Sequence, residues 1–149
     1  MKKFKFKYEA LLKSKEDLEK KLSKEFSEFI KERDLLVEKK EATIREKIAY
    51  EKSIEEKLRS GCQVYELREI EGSRHFFKSA IEKLENDIKK MQVKIDRKRN
   101  ELIEASKEKK TYEILKEKDF KSFIDKIEEE DRKLIDNIVV YMASKKGDK

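Results

Sequence analysis

The chain has 149 residues, of which half are charged, with three glycines and no proline. A hydrophobic share of 36% is too small for a wide globular core but enough for a narrow seam between helices. The net charge of +6 comes from 40 bases nearly matched by 34 acids, and acids break every basic run, which excludes a nucleic-acid reading face.

The first predicted element is a helix over about 4–59. Phe4, Tyr8, Leu11, Leu18 and Leu22 follow a heptad that Lys15 interrupts. The stripe then drifts: Phe26, Val37 and Ile48 stand eleven apart, as do Leu11, Leu22, Arg33 and Ile44. An eleven-residue repeat opposes left-handed supercoiling, so this helix is expected to be straighter than a regular coiled-coil strand. Arg33, Lys40 and Glu51 fall on inward positions, which makes the seam imperfect. Residues 1–24 carry nine lysines against four acids, a basic end that is either a solvated surface or a match for an acidic partner.

The turn is expected at Arg59-Ser60-Gly61-Cys62, because Gly61 can adopt the left-handed conformation that ends a helix. Gly72-Ser73 is a weaker break, with Ser73 able to cap a following helix. Residues 62–72 therefore read either as the start of the second helix or as a short elbow, and that helix begins near 64 or 73.

The second helix carries the clearest pattern. Alternate steps of four and three from Phe77 meet Ile81, Leu84, Ile88, Met91, Ile95, Lys98, Leu102, Ala105, Lys109 and Tyr112, so nine of eleven positions are apolar. A stripe this narrow and this long is a coiled-coil seam. The helix continues to about 144. Folding at residue ~61 sets residue 4 opposite roughly residue 120 and leaves about 20 residues of overhang, on the order of 30 Å. The overhang bears Ile124, Ile127, Leu134, Ile138 and Tyr141 at steps of three, four and seven, with Phe120 and Phe123 at its base. An apolar stripe on an unpaired helix needs a partner. The fold class is thus all-α: one coiled-coil domain over 1–149, an antiparallel two-helix hairpin with an overhanging C-terminal helix.

Little here supports catalysis. His75 is the sole histidine and Cys62 the sole cysteine, no Gly-rich phosphate loop exists, and a two-helix hairpin offers no deep cavity. No enzyme activity, cofactor or metal site is expected. A lone cysteine fits a reducing compartment, no apolar run reaches the ~20 residues that span a bilayer, and the N-terminus lacks a signal-peptide pattern. The expected location is the cytoplasm. The eight Phe and five Tyr are many for a plain coiled coil, and large side chains on helix surfaces serve either as interface anchors or as filling where irregular seams meet.

Five segments together resemble the FliJ family of flagellar export proteins over nearly the whole chain. They are Phe4-Lys-Phe-Lys-Tyr8-Glu-Ala-Leu-Leu12, the single turn at Gly61, Phe77-Lys-Ser-Ala-Ile81-Glu-Lys-Leu84-Glu-Asn-Asp-Ile88, Glu101-Leu-Ile-Glu-Ala-Ser-Lys-Glu-Lys-Lys110, and Leu115-Lys-Glu-Lys-Asp-Phe120. The resemblance implies a stalk-like component of the flagellar type III export apparatus, peripheral to the cytoplasmic face of the inner membrane at the flagellar base and not inserted in it. It implies three partners: the hexameric export ATPase, the export-gate membrane protein, and export chaperones. By the same resemblance, Tyr50, Phe77, Ile81 and Leu84 match the gate-contacting surface. Phe4, Phe6, Phe120, Phe123, Ile127, Leu134 and Ile138 match the ATPase-facing end. The isolated chain is expected to be monomeric; the alternative is a structural coiled coil that pairs with its own copy.

Overall fold

The computed structural model describes residues 2–147. Two helices, α1 (Glu9–Ser60) and α2 (Val64–Gly147), account for nearly all of them, and no strand occurs among the described residues. The two helices pack against each other, as the heptad stripes require. Contacts divide the chain into two units. One joins the residues up to Lys20 with those from Ile103 onward, and the other is Lys21–Leu102.

In the Lys21–Leu102 unit the pairing is antiparallel: Glu25 meets Lys98, Arg33 meets Gln92, Lys40 meets Glu85 and Glu51 meets Arg74. Phe26 and Phe29 lie beneath the cations of Arg99 and Lys98, at 5.6 and 5.9 Å. Ile95 is wholly buried. The helices join through residues 61–63, where Gly61 has φ +89°. Only glycine takes that conformation without a steric penalty from Cβ. Gln63 starts α2 by accepting the Leu67 N–H at 3.2 Å. Of the two readings of 62–72, the structure takes the helical one from Val64. Gly72 lies inside α2 and Ser73 caps nothing, since a helical glycine weakens a helix without ending it. Burial of Ile54 and Ile70 on either side of the turn anchors this segment.

In the other unit, Lys15 meets Glu108, Glu19 meets Lys109 and Glu9 meets Lys116. Here the start of α1 differs from the expected position near residue 4. Residues 2–6 are non-helical, and the helix opens with the Tyr8 carbonyl accepting the Leu12 N–H at 2.9 Å. The alternation Lys3-Phe4-Lys5-Phe6-Lys7-Tyr8 has a period of two, which suits an extended chain with one apolar side. Phe6 is buried and Phe4 half-buried, while Lys3, Lys5 and Lys7 are exposed.

The expected drift of the α1 stripe is not found. Leu11, Leu18 and Ile48 are exposed, whereas Leu12 and Leu22 are buried. From Leu12 to Ile54, alternating steps of three and four reach thirteen positions, and each is buried or half-buried. The heptad is unbroken. Lys15, Glu19, Arg33, Lys40, Thr43 and Lys47 occupy six of those positions and hide it from a hydrophobic reading. Their stems cover the seam while their polar ends reach its edge. All eleven α2 positions from Phe77 to Tyr112 are likewise buried or half-buried, as expected.

Replacing Ile95 by alanine is expected to lower unfolding stability by about 2–5 kcal/mol in urea titration, as for other large-to-small core changes. Leu35→Ala, at an exposed position, is expected to stay within about 0.5 kcal/mol. Equal effects at the two sites would contradict the seam described.

Candidate functional site

Two groups of aromatic residues stand out, one in each unit. Near the turn, the Tyr50 and Phe77 rings lie 5.6 Å apart, tilted by 47°, and Phe76 sits edge-on to Phe77 at 5.9 Å. Tyr50 and Phe77 are half-buried, but Phe76 is 68% exposed. The three rings line an open concavity of about 470 Å³ with Glu69, Gly72 and Ser73. Arg74 grips Glu51 through two hydrogen bonds of 3.1 and 3.2 Å, one residue from Tyr50. This bidentate pair helps to hold the register that brings Tyr50 beside Phe77.

Of the four residues matched to a gate-contacting surface, Tyr50 and Phe77 thus come together at a surface. Ile81 is half-buried and lines a separate groove with Ile44 and Ile48, and Leu84 is half-buried in the helix pair. Phe76 belongs to the aromatic cluster that the sequence places near the turn, with Tyr50, Tyr65 and Phe77, but the family resemblance assigns it no contact; it stands one step off the seam stripe to which Phe77 belongs. A further concavity, of about 570 Å³ around Leu35, Leu36, Ala42 and Met91, coincides with none of the matched residues.

In the other unit, Phe4 packs on Phe120 at 5.3 Å and on Phe123 at 5.5 Å. Phe6 meets Tyr8 at 5.9 Å, and Tyr8 meets Tyr112 at 6.3 Å. Residue 4 therefore does lie opposite residue 120. Phe6 is covered by its own chain, Phe120 stays about half exposed, and Ile127 is half-buried. Beyond Ile127, every residue from 128 to 147 is exposed. Leu134 and Ile138 are 60% and 48% exposed, and Ile135, Val139, Val140, Tyr141 and Met142 join them. Apart from Val140, these side chains form one broad face with Ile124 and Ile127, about 160° wide at 100° per residue.

Among the described residues no group of three His, Cys, Asp or Glu side chains could hold a metal, and His75 is exposed. Cys62 is half-buried in the turn. Among the described residues no helix is long and apolar enough to cross a membrane. The family model described as Flagellar FliJ protein matches residues 4–148. The chain belongs to the FliJ family. It is therefore a non-enzymatic component of the flagellar export apparatus. No curated protein and no solved structure matches it.

In this FliJ-family chain, the inter-helix charge pairs perturb their own titration. The Lys109 hydrogen bond holds the Glu19 carboxyl below its ordinary range, and Lys98 does the same for Glu25, in both cases against a smaller desolvation effect. The Lys98 and Lys109 amines are raised in turn by their bonds to Glu25 and Glu19. A lowered carboxyl contributes stability that is complete above its ordinary value of 4.5 and is lost as pH falls through the depressed value. The raised amines contribute fully below 10.5 and lose that contribution as pH rises through their raised values.

Urea midpoints measured across pH should therefore fall on acidification below about 4.5, the ordinary carboxyl range. Glu25→Gln should flatten part of that fall. An unchanged acid limb in the variant would show that the Glu25–Lys98 pair is not formed in solution.

Proposed function

We propose that this FliJ-family chain is a stalk and adaptor of the export apparatus, acting as one coiled-coil domain. Its open end enters the hexameric export ATPase. The side near the turn meets the export-gate membrane protein, and the chain escorts export chaperones at the cytoplasmic face of the inner membrane. It needs no cofactor and is monomeric in isolation.

One observation carries this reading: the exposed apolar face from Leu134 to Met142. Seven of those nine residues are apolar, and none is covered by the chain. A patch of this kind on a helix marks an interaction surface. Its width also matters. A two-helix seam uses a narrow stripe, whereas a face of about 160° suits a helix enclosed by more than one element. The central hole of a hexamer would provide such an enclosure. In this reading Phe4, Phe120, Phe123 and Ile127 continue the contact at the base of the overhang, with Phe6 supporting them from beneath. Leu134 and Ile138 lie at its centre. Tyr50, Phe77, Ile81 and Leu84 serve the gate. An asymmetric helix pair in a ring of six makes different contacts with different subunits, and those differences bias their nucleotide states.

Deleting residues 128–149 should abolish binding to the cognate export ATPase, measured by co-sedimentation. Helicity per residue by circular dichroism should be retained. Undiminished binding would end the assignment of this end. Sedimentation equilibrium at micromolar concentration should show a monomer. A dimer dissolved by Leu134→Asp would replace the adaptor with a self-pairing coiled coil.

A further inference from the structure

The concavity beside the turn has an unusual lining for a coiled coil. Three aromatic residues, Tyr50, Phe76 and Phe77, share it with Glu69. Glu69 is exposed and forms no ion pair among the described residues. Its helix neighbours three and four positions away are Tyr65, Glu66, Gly72 and Ser73, so its own helix offers no lysine or arginine at the spacings that form ion pairs. Arg74, five positions along the helix, is held by Glu51 and Glu71.

The rings are equally free of cations. Elsewhere in the chain, Tyr8, Phe26, Phe29 and Tyr141 each carry a lysine or arginine within 6 Å, supplied by the chain itself. No such cation sits over Tyr50, Phe76 or Phe77 among the described residues. Gly72 adds a third feature. Glycine is a poor residue for a helix interior, and a Cβ there would meet nothing within 4 Å. Internal packing therefore does not call for glycine at this position. Its effect is to leave that wall of the concavity open.

We propose that this concavity binds an arginine side chain presented by a partner protein. The planar guanidinium would lie against the aromatic rings, where the negative ring faces attract it. Its N–H groups would donate to the Glu69 carboxylate, which accepts such a planar fork better than it accepts the point charge of lysine. The site shares Tyr50 and Phe77 with the proposed gate contact and rests on that reading only for the identity of the partner.

The test begins with a small probe. N-acetyl-arginine methylamide is titrated into the full chain while the ring resonances of Tyr50, Phe76 and Phe77 are followed by NMR. The neutral citrulline analogue is titrated in parallel. Saturable shifts with arginine at millimolar concentration, at least tenfold weaker with citrulline, are expected. Glu69→Gln and Phe76→Ala, both at exposed positions, should each weaken the arginine response about tenfold without loss of helicity. Gly72→Leu should abolish it while raising the melting temperature, because leucine favours the helix and fills the space. Equal shifts with citrulline, no shift with either probe, or an undiminished arginine response in Gly72→Leu would each overturn the proposal.

A second arm uses the cytoplasmic region of the export-gate protein. If Phe76→Ala weakens that complex while Glu69→Gln leaves it intact, the gate contact stands and the arginine site falls. If arginine binds as expected but the gate region does not bind at all, the site stands and the gate reading falls.

Discussion

The inward stripe of α2 is the constraint on which the rest of the molecule depends. From Phe77 to Tyr112 it alternates steps of four and three, with nine of eleven positions apolar. Among the described residues α1 is the one other helix that can bury those side chains, so it must lie along them or the chain does not fold. A seam of this kind is a thin core. Among the described residues only seven hydrophobic side chains are buried, and no charged or polar side chain is. Stability then comes from many half-buried contacts in series. The long stems of Lys15, Arg33, Lys40 and Lys47 supply part of that cover.

Charge plays a different part from hydrophobic burial here. Pairs at the seam edge are half-exposed, and such pairs add little each. Their value lies in alignment. A helix pair with a repeating stripe can slide by one heptad and still bury similar side chains. A slide would separate Glu25 from Lys98, Glu51 from Arg74 and Glu19 from Lys109. These pairs, at the inward position Glu19 and at the flanking positions Glu25 and Glu51, therefore select one register among several that hydrophobicity alone permits. That register decides which aromatic residues meet at each surface.

How much of this was legible depended on how closely each residue's chemistry matched its position. The α2 seam, the turn at Gly61 and the bare overhang could be read directly, since apolar period, positive-φ glycine and unpaired length are local properties. The α1 seam was misread as drifting because six of its thirteen inward positions are polar, and the exposed Leu11, Leu18 and Ile48 were the more conspicuous residues. The start of α1 was misplaced for a related reason. Phe4 and Tyr8 are four apart, a spacing that fits one helical turn and two extended dipeptides equally well. The intervening Phe6, buried in the structure, was the residue that favoured the extended reading. The aromatic concavity was legible in part: Tyr50, Phe76 and Phe77 could be counted near the turn, but their shared concavity could not, because Phe76 lies off the seam and Gly72 reads as a break.

The extended segment ahead of α1 has a bearing on how the chain tolerates insertions. From Lys3 to Phe6, ahead of the turn at 7–8, exposed and covered side chains alternate, so one added residue would turn Phe4 away from Phe120 and Phe123, whereas two would restore the phase. Along the paired helices the phase returns only after seven residues, or after three or four with local rewinding. Beyond Ile127 no seam partner fixes the phase, and an insertion there would only turn the exposed face of Leu134–Met142 relative to Ile124 and Ile127. Length changes in the molecule thus obey three separate arithmetics, set by whether a segment is extended, helically paired or unpaired.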